Sequence, residues 1–248
     1  MTFTIRLAGR NIRVSVQFPS TKAFLRDYLT DAAPDFSVVV TPEDVAAERE
    51  RSAREDDREG VPVRSFSDEY LETLALYRHI AEQLPLYDTV LMHGSAIAVD
   101  GEAYLFCAKS GTGKSTHTRL WRETFGERAF MVNDDKPLVT VTEDGVCIHG
   151  TPWDGKHRLS RNVTVPLRAI CVLERSPDNH IGSLSQKDAF TALLSQTYRP
   201  SDPDMLVRTI VLLKRMTAQI NCRRLGCNME PDAAAVAYEG MKGTSDHP

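Results

Sequence analysis

The sequence predicts an α/β fold: a mixed-sheet core built on a phosphate-binding loop (a P-loop) over residues 86–248, preceded by a small α+β domain over residues 1–85. Three observations predict it. An apolar run at 103–107 leads into a glycine-bearing turn and then a helical pattern, in the stretch AYLFCAKSGTGKST. The pair Asp100-Gly101 stands directly before that run and signals a tight hairpin, so the strand feeding the loop has an antiparallel neighbour and the sheet is mixed. Ahead of this core, short alternating and helical segments crowd into fewer than ninety residues, too few for a second large sheet.

Composition sets the outer bounds. A chain of 248 residues with 42% hydrophobic content can bury a good-sized core. A formal net charge of -4 and a pI near 6.0 supply no general attraction to nucleic acid or to an anionic membrane, and neither is expected as a partner. The first residues alternate polar and apolar, and no later run reaches the length of a membrane span, so a cytoplasmic protein is expected. The five cysteines are odd in number and never spaced C-x-x-C, which fits buried free thiols better than disulfides or zinc. Oligomeric state is left open, a homo-oligomer included.

In chain order, Phe3, Ile5 and Leu7, then Ile12, Val14, Val16 and Phe18, alternate as the arms of a half-buried hairpin turning at 8–11. A short helix is expected at 21–29 and a strand at 36–40. Thr41-Pro42-Glu43-Asp44 supplies an N-cap, a first-turn proline and early acids for another helix. Residues 48–59 are nearly all charged with mixed sign and read as a solvated helix end or a linker. Ser67 caps a helix placing Tyr70, Leu74, Tyr77, Ala81 and Leu84 on one face.

The core follows. Strands are expected at 90–93, 95–99, 103–107, 129–133, 138–141, 146–149, 169–174 and 220–225. Helices are expected from Lys114 to Gly126, from Ser185 to Leu194, after Ser201-Asp202-Pro203, and at 231–241, with a frayed tail beyond.

The loop carries the chemistry. Ser110, Gly111, Thr112, Gly113, Lys114, Ser115 and Thr116 form a nucleotide-phosphate site. Backbone N–H groups can converge on phosphate oxygens only where side chains are absent, and a helix N-terminus adds partial positive charge. Lys114 would reach the outer phosphates and Ser115 would hold Mg²⁺. Ala108 stands where the motif's first glycine is expected. Downstream, Asp134 and Asp135 can divide metal binding and orientation of an attacking oxygen. Consecutive strand residues face opposite ways, so both act together only if the strand ends at Asn133 and the chain bends there. A solvated acidic turn between two strands is the alternative.

Together, Met92-His93-Gly94, the Asp100-Gly101 hairpin, SGTGKST and the strand ending Asn133-Asp134-Asp135 resemble the HPr kinase/phosphorylase family and the wider group sharing the phosphoenolpyruvate (PEP) carboxykinase nucleotide-binding fold. The resemblance covers about residues 88–150. It implies that Gly111, Gly113 and Lys114 hold phosphates, that Ser115 and Asp134 help bind Mg²⁺, that Asp135 is the base toward a hydroxyl, and that His93 lies near the active site. The segment before Pro85 does not look like the N-terminal domain of bacterial HPr kinases, and their C-terminal substrate-binding loop has no match. The chain looks closer to the shorter kinase-like relatives, whose acceptor is a serine hydroxyl on a peptide or small molecule.

Other candidates are the loop from Trp153 through Lys156 to Arg158, for acceptor or phosphoryl contact, and Arg199, Arg223 and Arg224 as unplaced phosphate contacts. His117 follows the loop directly and could approach the nucleotide, but reads rather as a surface histidine of the first helical turn. The expected function is ATP-dependent transfer of a phosphoryl group to a hydroxyl of a peptide, protein or small molecule. A nucleotide-binding regulatory protein without catalysis and a bifunctional kinase/phosphorylase are the alternatives.

Overall fold

Two units divide the chain in the computed structural model, which describes residues 1–243: one runs from Met1 to Gln83 and the other starts at Leu84. In the first, β1 (Thr2–Leu7) and β2 (Arg10–Ser15) pair antiparallel around a two-residue turn whose Ala8 and Gly9 both have positive φ, as a type I′ hairpin requires. The second arm stops at Ser15, short of the expected Phe18, because Pro19 opens helix α1 (Pro19–Phe24). A 3-10 turn at Arg26–Tyr28 follows, and β3 (Phe36–Val39) adds parallel to β2.

Helix α2 (Pro42–Glu59) starts on the expected capping box, with Asp44 N donating to Thr41 Oγ1 at 3.3 Å and Thr41 N donating to Asp44 Oδ2 at 2.8 Å. It absorbs the whole charged run and ends at Gly60, left-handed at φ 67. In α3 (Asp68–Gln83) the buried residues include Leu71, Ala75, Leu76 and Ile80, while Tyr70 is exposed. Tyr77, Ala81 and Leu84 of the expected face are buried as well, so the helix buries a broader stripe than periodicity alone marked. Glu72 is buried, its carboxylate accepting the backbone N–H groups of Gln17 and Phe18. That removes two unpaired donors ahead of α1.

The second unit runs β4 (Thr89–Leu91), β5 (Gly94–Val99), β6 (Glu102–Cys107), α4 (Lys114–Phe125), β7 (Ala129–Asp135), β8 (Leu138–Val141), β9 (Val146–His149), β10 (Thr164–Arg175), β11 (His180–Ser183), α5 (Gln186–Gln196), α6 (Pro203–Gln219), β12 (Asn221–Cys227) and α7 (Asp232–Lys242). Strand order is β4-β8-β9-β10-β6-β5-β7, with β12 and then β11 extending from β10. The sheet is mixed and curls at β10, which pairs antiparallel with β9 over 164–166 and then lies parallel to both β6 and β12. The β5–β6 hairpin turns on Asp100 and Gly101, at φ 53 and 86, so the strand feeding the loop does have an antiparallel partner.

Alternation along these strands serves two cores. Ala96, Ala98, Leu105 and Cys107 share a cluster with α5 and α6 residues such as Leu193, Leu213 and Met216. Ile97, Val99, Tyr104 and Phe106 face the cluster that holds Trp121 of α4 and Ala237 of α7. Helices therefore cover both faces at the sheet's centre, which explains its near-continuous apolar strands. Residues 244–248 of the expected tail lie outside the described residues. All five cysteines are free. Among the described residues, no helix is long and apolar enough to cross a membrane.

Candidate functional site

Strand β6 delivers the chain to the loop between it and α4. Gly111 and Gly113 sit at φ 75 and 122, a region that penalises any Cβ, and a Cβ at either would meet nothing else. Glycine is needed here for backbone conformation, not for want of space. Ala108 is not among the residues with positive φ. Its carbonyl accepts the Lys114 ammonium at 3.2 Å, a contact that does not require glycine, so the motif's departure there is tolerated. Arg175, at the end of β10, donates to Gly111 O at 2.7 Å and fixes the loop's outer side.

The acids reach the same place along β7. Its register against β5 slips by one residue at Val132, a bulge that sets Asp134 opposite Ser95 and Asp135 opposite Gly94. The expected end of the strand at Asn133 is wrong: pairing continues through Asp135. The two side chains consequently engage different partners. Asp134 Oδ1 accepts Ser95 Oγ at 2.6 Å and Ser115 Oγ, on the first turn of α4, at 3.1 Å. Asp135 Oδ1 accepts Lys136 Nζ at 3.0 Å and lies 3.5 Å from His93 Nε2. Lys114 lies within electrostatic reach of both acids. Burial lowers its pKa, and the Asp135 and Asp134 carboxylates work against that fall.

Asn133 organises this end of the strand. Fully buried, it donates through Nδ2 to Thr151 and to the Trp153 carbonyl, while Oδ1 accepts Asp135 N at 2.9 Å and Lys136 N at 2.7 Å. The bend the acids need thus falls after Asp135, imposed by a side chain one turn back. His93 is partly buried between β4 and β5, and its amide donates to Gln196 O at 2.6 Å. Burial first, then the Lys136 and Lys114 charges, lower its pKa to about 4 against the pull of Asp135, so the imidazole is neutral at pH 7.

The 150–158 loop packs onto the acids. A Cβ at Gly155 would stand 2.7 Å from Asp134 O and 2.9 Å from its Oδ2, so that backbone lies against the carboxylate. Trp153 is buried at 7% exposure, a packed residue of the turn. Lys156, His157 and Arg158 are exposed. Ser110 is exposed and Thr112 and Thr116 are partly so along the loop. Arg223 hydrogen-bonds Ser183 Oγ and Arg224 lies 3.5 Å from Glu174 Oε1, so both are engaged along the sheet, while Arg199 is exposed. His117 corrects the reading of a surface histidine: it is 2% exposed.

Ser95, Gly155, Arg175 and Gln196 were missed as contributors, and Asn133, named as the end of the acids' strand, was given no role of its own. Ser95 left one trace, a hydroxyl within the apolar run GSAIAV at a position sharing the parity of Ile97 and Val99. The others left none, because each acts through a contact distant in sequence.

Two cavities flank the loop. One, of about 430 Å³, is lined by Ala108, Lys109, Thr112, Ala192, Ser195 and Gln196 among others; the other, of about 530 Å³, by Gly113, Thr116, His117, Leu173, Arg175 and Met229 among others. Both fall in the size range of small-molecule sites. Among the described residues, no group of three or more His, Cys, Asp or Glu could hold a metal. The hydroxyl and carboxylate meeting at Ser115 and Asp134 are nonetheless hard oxygen donors, a set that suits Mg²⁺ shared with phosphates and waters.

Comparison with known proteins gives a family and a loose structural likeness. The family described as SynChlorMet cassette protein ScmC matches residues 63–201, more than half of the chain. No curated protein matches. Among solved structures, that of the Hpr(Ser) kinase/phosphatase from Coxiella burnetii is 9% identical, covering 50% of this chain and 93% of that one at a TM-score of 0.27, too loose a likeness for residue-by-residue transfer.

Proposed function

The chain belongs to the SynChlorMet cassette protein ScmC family, and because that membership names no reaction, we propose one from the geometry: ATP-dependent transfer of the γ-phosphoryl group to a hydroxyl, on a P-loop core like that of HPr kinase and PEP carboxykinase. The observation that carries it is the meeting of Ser115 and Asp134 at 3.1 Å beside Lys114, with Asp135 close enough to act on the same lysine.

In this reading the amides at Gly111–Ser115 and the α4 N-terminus hold phosphate oxygens, and the Lys114 ammonium opposes charge on the outer phosphates. Ser115 and Asp134 would hold Mg²⁺, which when bound supplies neutralisation of the developing phosphate charge. The acceptor hydroxyl approaches from the side of the 430 Å³ cavity, where Gln196 links through its carbonyl to His93. Asp135 takes the hydroxyl proton as the oxygen attacks the γ-phosphorus and the bond to the β-phosphate oxygen breaks. Lys136 holds Asp135 in place. The neutral His93 lies beside Asp135 without adding a second positive charge to that of Lys136. The acceptor is a hydroxyl-bearing peptide, protein or small molecule.

The test is transfer from γ-³²P-labelled ATP with Mg²⁺ into a panel of such acceptors. Lys114→Ala should lose nucleotide binding and transfer together, while Asp135→Asn should bind ATP and transfer at least about a hundredfold more slowly, the size of a general-base contribution. Full transfer by Asp135→Asn removes its role as base. ATP that binds and stays intact with every acceptor favours a binding protein over a kinase.

A further inference from the structure

His117 is the first residue after the loop that the proposed chemistry leaves unused, and its ring is in an unusual position. Trp121 Nε1, which can only donate, points at His117 Nε2 across 3.0 Å, so Nε2 carries the lone pair and the ring proton sits on Nδ1. That Nδ1–H is buried and has no hydrogen-bond partner among the described residues. A buried donor without an acceptor is costly. His117 also lines the 530 Å³ cavity, together with Gly111, Gly113 and Thr116 of the loop itself.

Two of the cavity's other polar walls already hold hydrogen bonds within the protein. Asn228 donates to Pro177 O at 2.8 Å and accepts Asn179 Nδ2 at 3.0 Å, and Arg175 donates to Gly111 O. Its remaining surface includes Leu173, Cys227 and Met229, the last 75% exposed and soft enough to lie on a planar ring. The arrangement is a largely apolar slot opening directly off the loop, with the His117 Nδ1–H as a buried donor that lacks a partner among the described residues.

We propose that this cavity receives the nucleobase of the donor whose phosphates the loop holds, with His117 Nδ1–H donating to a ring acceptor of the base and Met229 covering its face. The inference rests on the phosphate site proposed above and adds to it which wall reads the base and which residue supplies the hydrogen bond. It also makes Trp121, through its bond to Nε2, the residue that fixes the tautomer.

Calorimetric titrations with ATP and with inorganic tripolyphosphate separate the two readings. The intact protein should bind ATP about tenfold or more tighter than tripolyphosphate. His117→Phe, which keeps a ring against Phe106 but has no donor, should lose about tenfold in ATP affinity while tripolyphosphate affinity stays the same. Should that variant unfold, Met229→Ala at its exposed position makes the same comparison, with a several-fold loss for ATP alone. Tripolyphosphate bound as tightly as ATP, or equal losses for both ligands, overturns the base site and leaves the phosphate site standing. Failure of both ligands to bind removes the phosphate site, and the base site with it.

Discussion

Gly155→Ala tests whether the 150–158 loop positions the acidic site. The added Cβ would stand 2.7 Å from Asp134 O, against an ordinary contact of 3.4 Å or more, so strand and loop must part by about 0.7 Å. The atom it meets is a backbone oxygen, which cannot rotate away. Overpacking of this kind costs about 1–3 kcal/mol, a fall of roughly 2–10 °C in Tm for a unit of this size. The functional effect should exceed the structural one, because Asp134 lies only 3.1 Å from Ser115 and a shift of that size takes the pair beyond hydrogen-bond distance. Interactions of this charged type are worth about 1.5–3 kcal/mol, so Mg²⁺-dependent strengthening of ATP binding should fall at least about tenfold. ATP binding without Mg²⁺, held by the loop, should change little. Calorimetric titration with and without Mg²⁺, beside a thermal melt, reads both. Gly182→Ala, where an added Cβ meets nothing within 4 Å and φ is not positive, is the control. An unchanged Tm and an intact Mg²⁺ effect in Gly155→Ala would show that the loop does not press on Asp134.

Two further outcomes follow from buried groups. His117 and His149 are both held neutral by burial, with pKa values lowered to about 4 from an ordinary 6.5. The unfolded chain therefore takes up protons that the folded one refuses between those values, and stability falls as pH drops from 6.5 toward 4, by about 1.4 kcal/mol per pH unit for each ring. Urea unfolding at pH 7 and pH 5 should show the fall, and His149→Gln, able to bond Thr140 and Thr164 without a titrating ring, should flatten it; an identical slope in that variant refutes the assignment. Asn133→Ala should cost about 2–4 kcal/mol in a thermal melt and abolish the Mg²⁺ effect, since it strands buried partners on Thr151, Trp153 and Lys136. A Tm within about a degree of wild type would show that Asn133 is not the organiser described above.

What the sequence disclosed is what local chemistry determines. The Asp100-Gly101 hairpin, the Thr41 capping box and the glycine turn before Lys114 each depend on neighbours a few residues away, and each stands where it was expected. Failures came where a distant contact decides. Residues 180–183, HIGS, carry no alternation, and become a strand because β12 offers them an edge. His117 reads as exposed from its place in a first turn, yet Phe106 and Trp121 close around it.

The acids show the same division within a single strand. Sequence alone made a break at Asn133 the condition for Asp134 and Asp135 to act together, since consecutive residues of a regular strand diverge. The structure keeps the divergence and makes use of it. A one-residue bulge at Val132 sets the phase, so that Asp134 meets the hydroxyls of Ser95 and Ser115 and Asp135 meets Lys136 and His93. Had the same residues run without the bulge, every residue after Met131 would have moved by one place, and Asn133 rather than Asp134 would stand opposite Ser95. Divergence also keeps the two carboxylates from sharing one partner set, so a metal-binding and a proton-accepting role need not compete for the same oxygens. Lys114, crossing the ends of the strands from the start of α4, is the group placed to feel both charges.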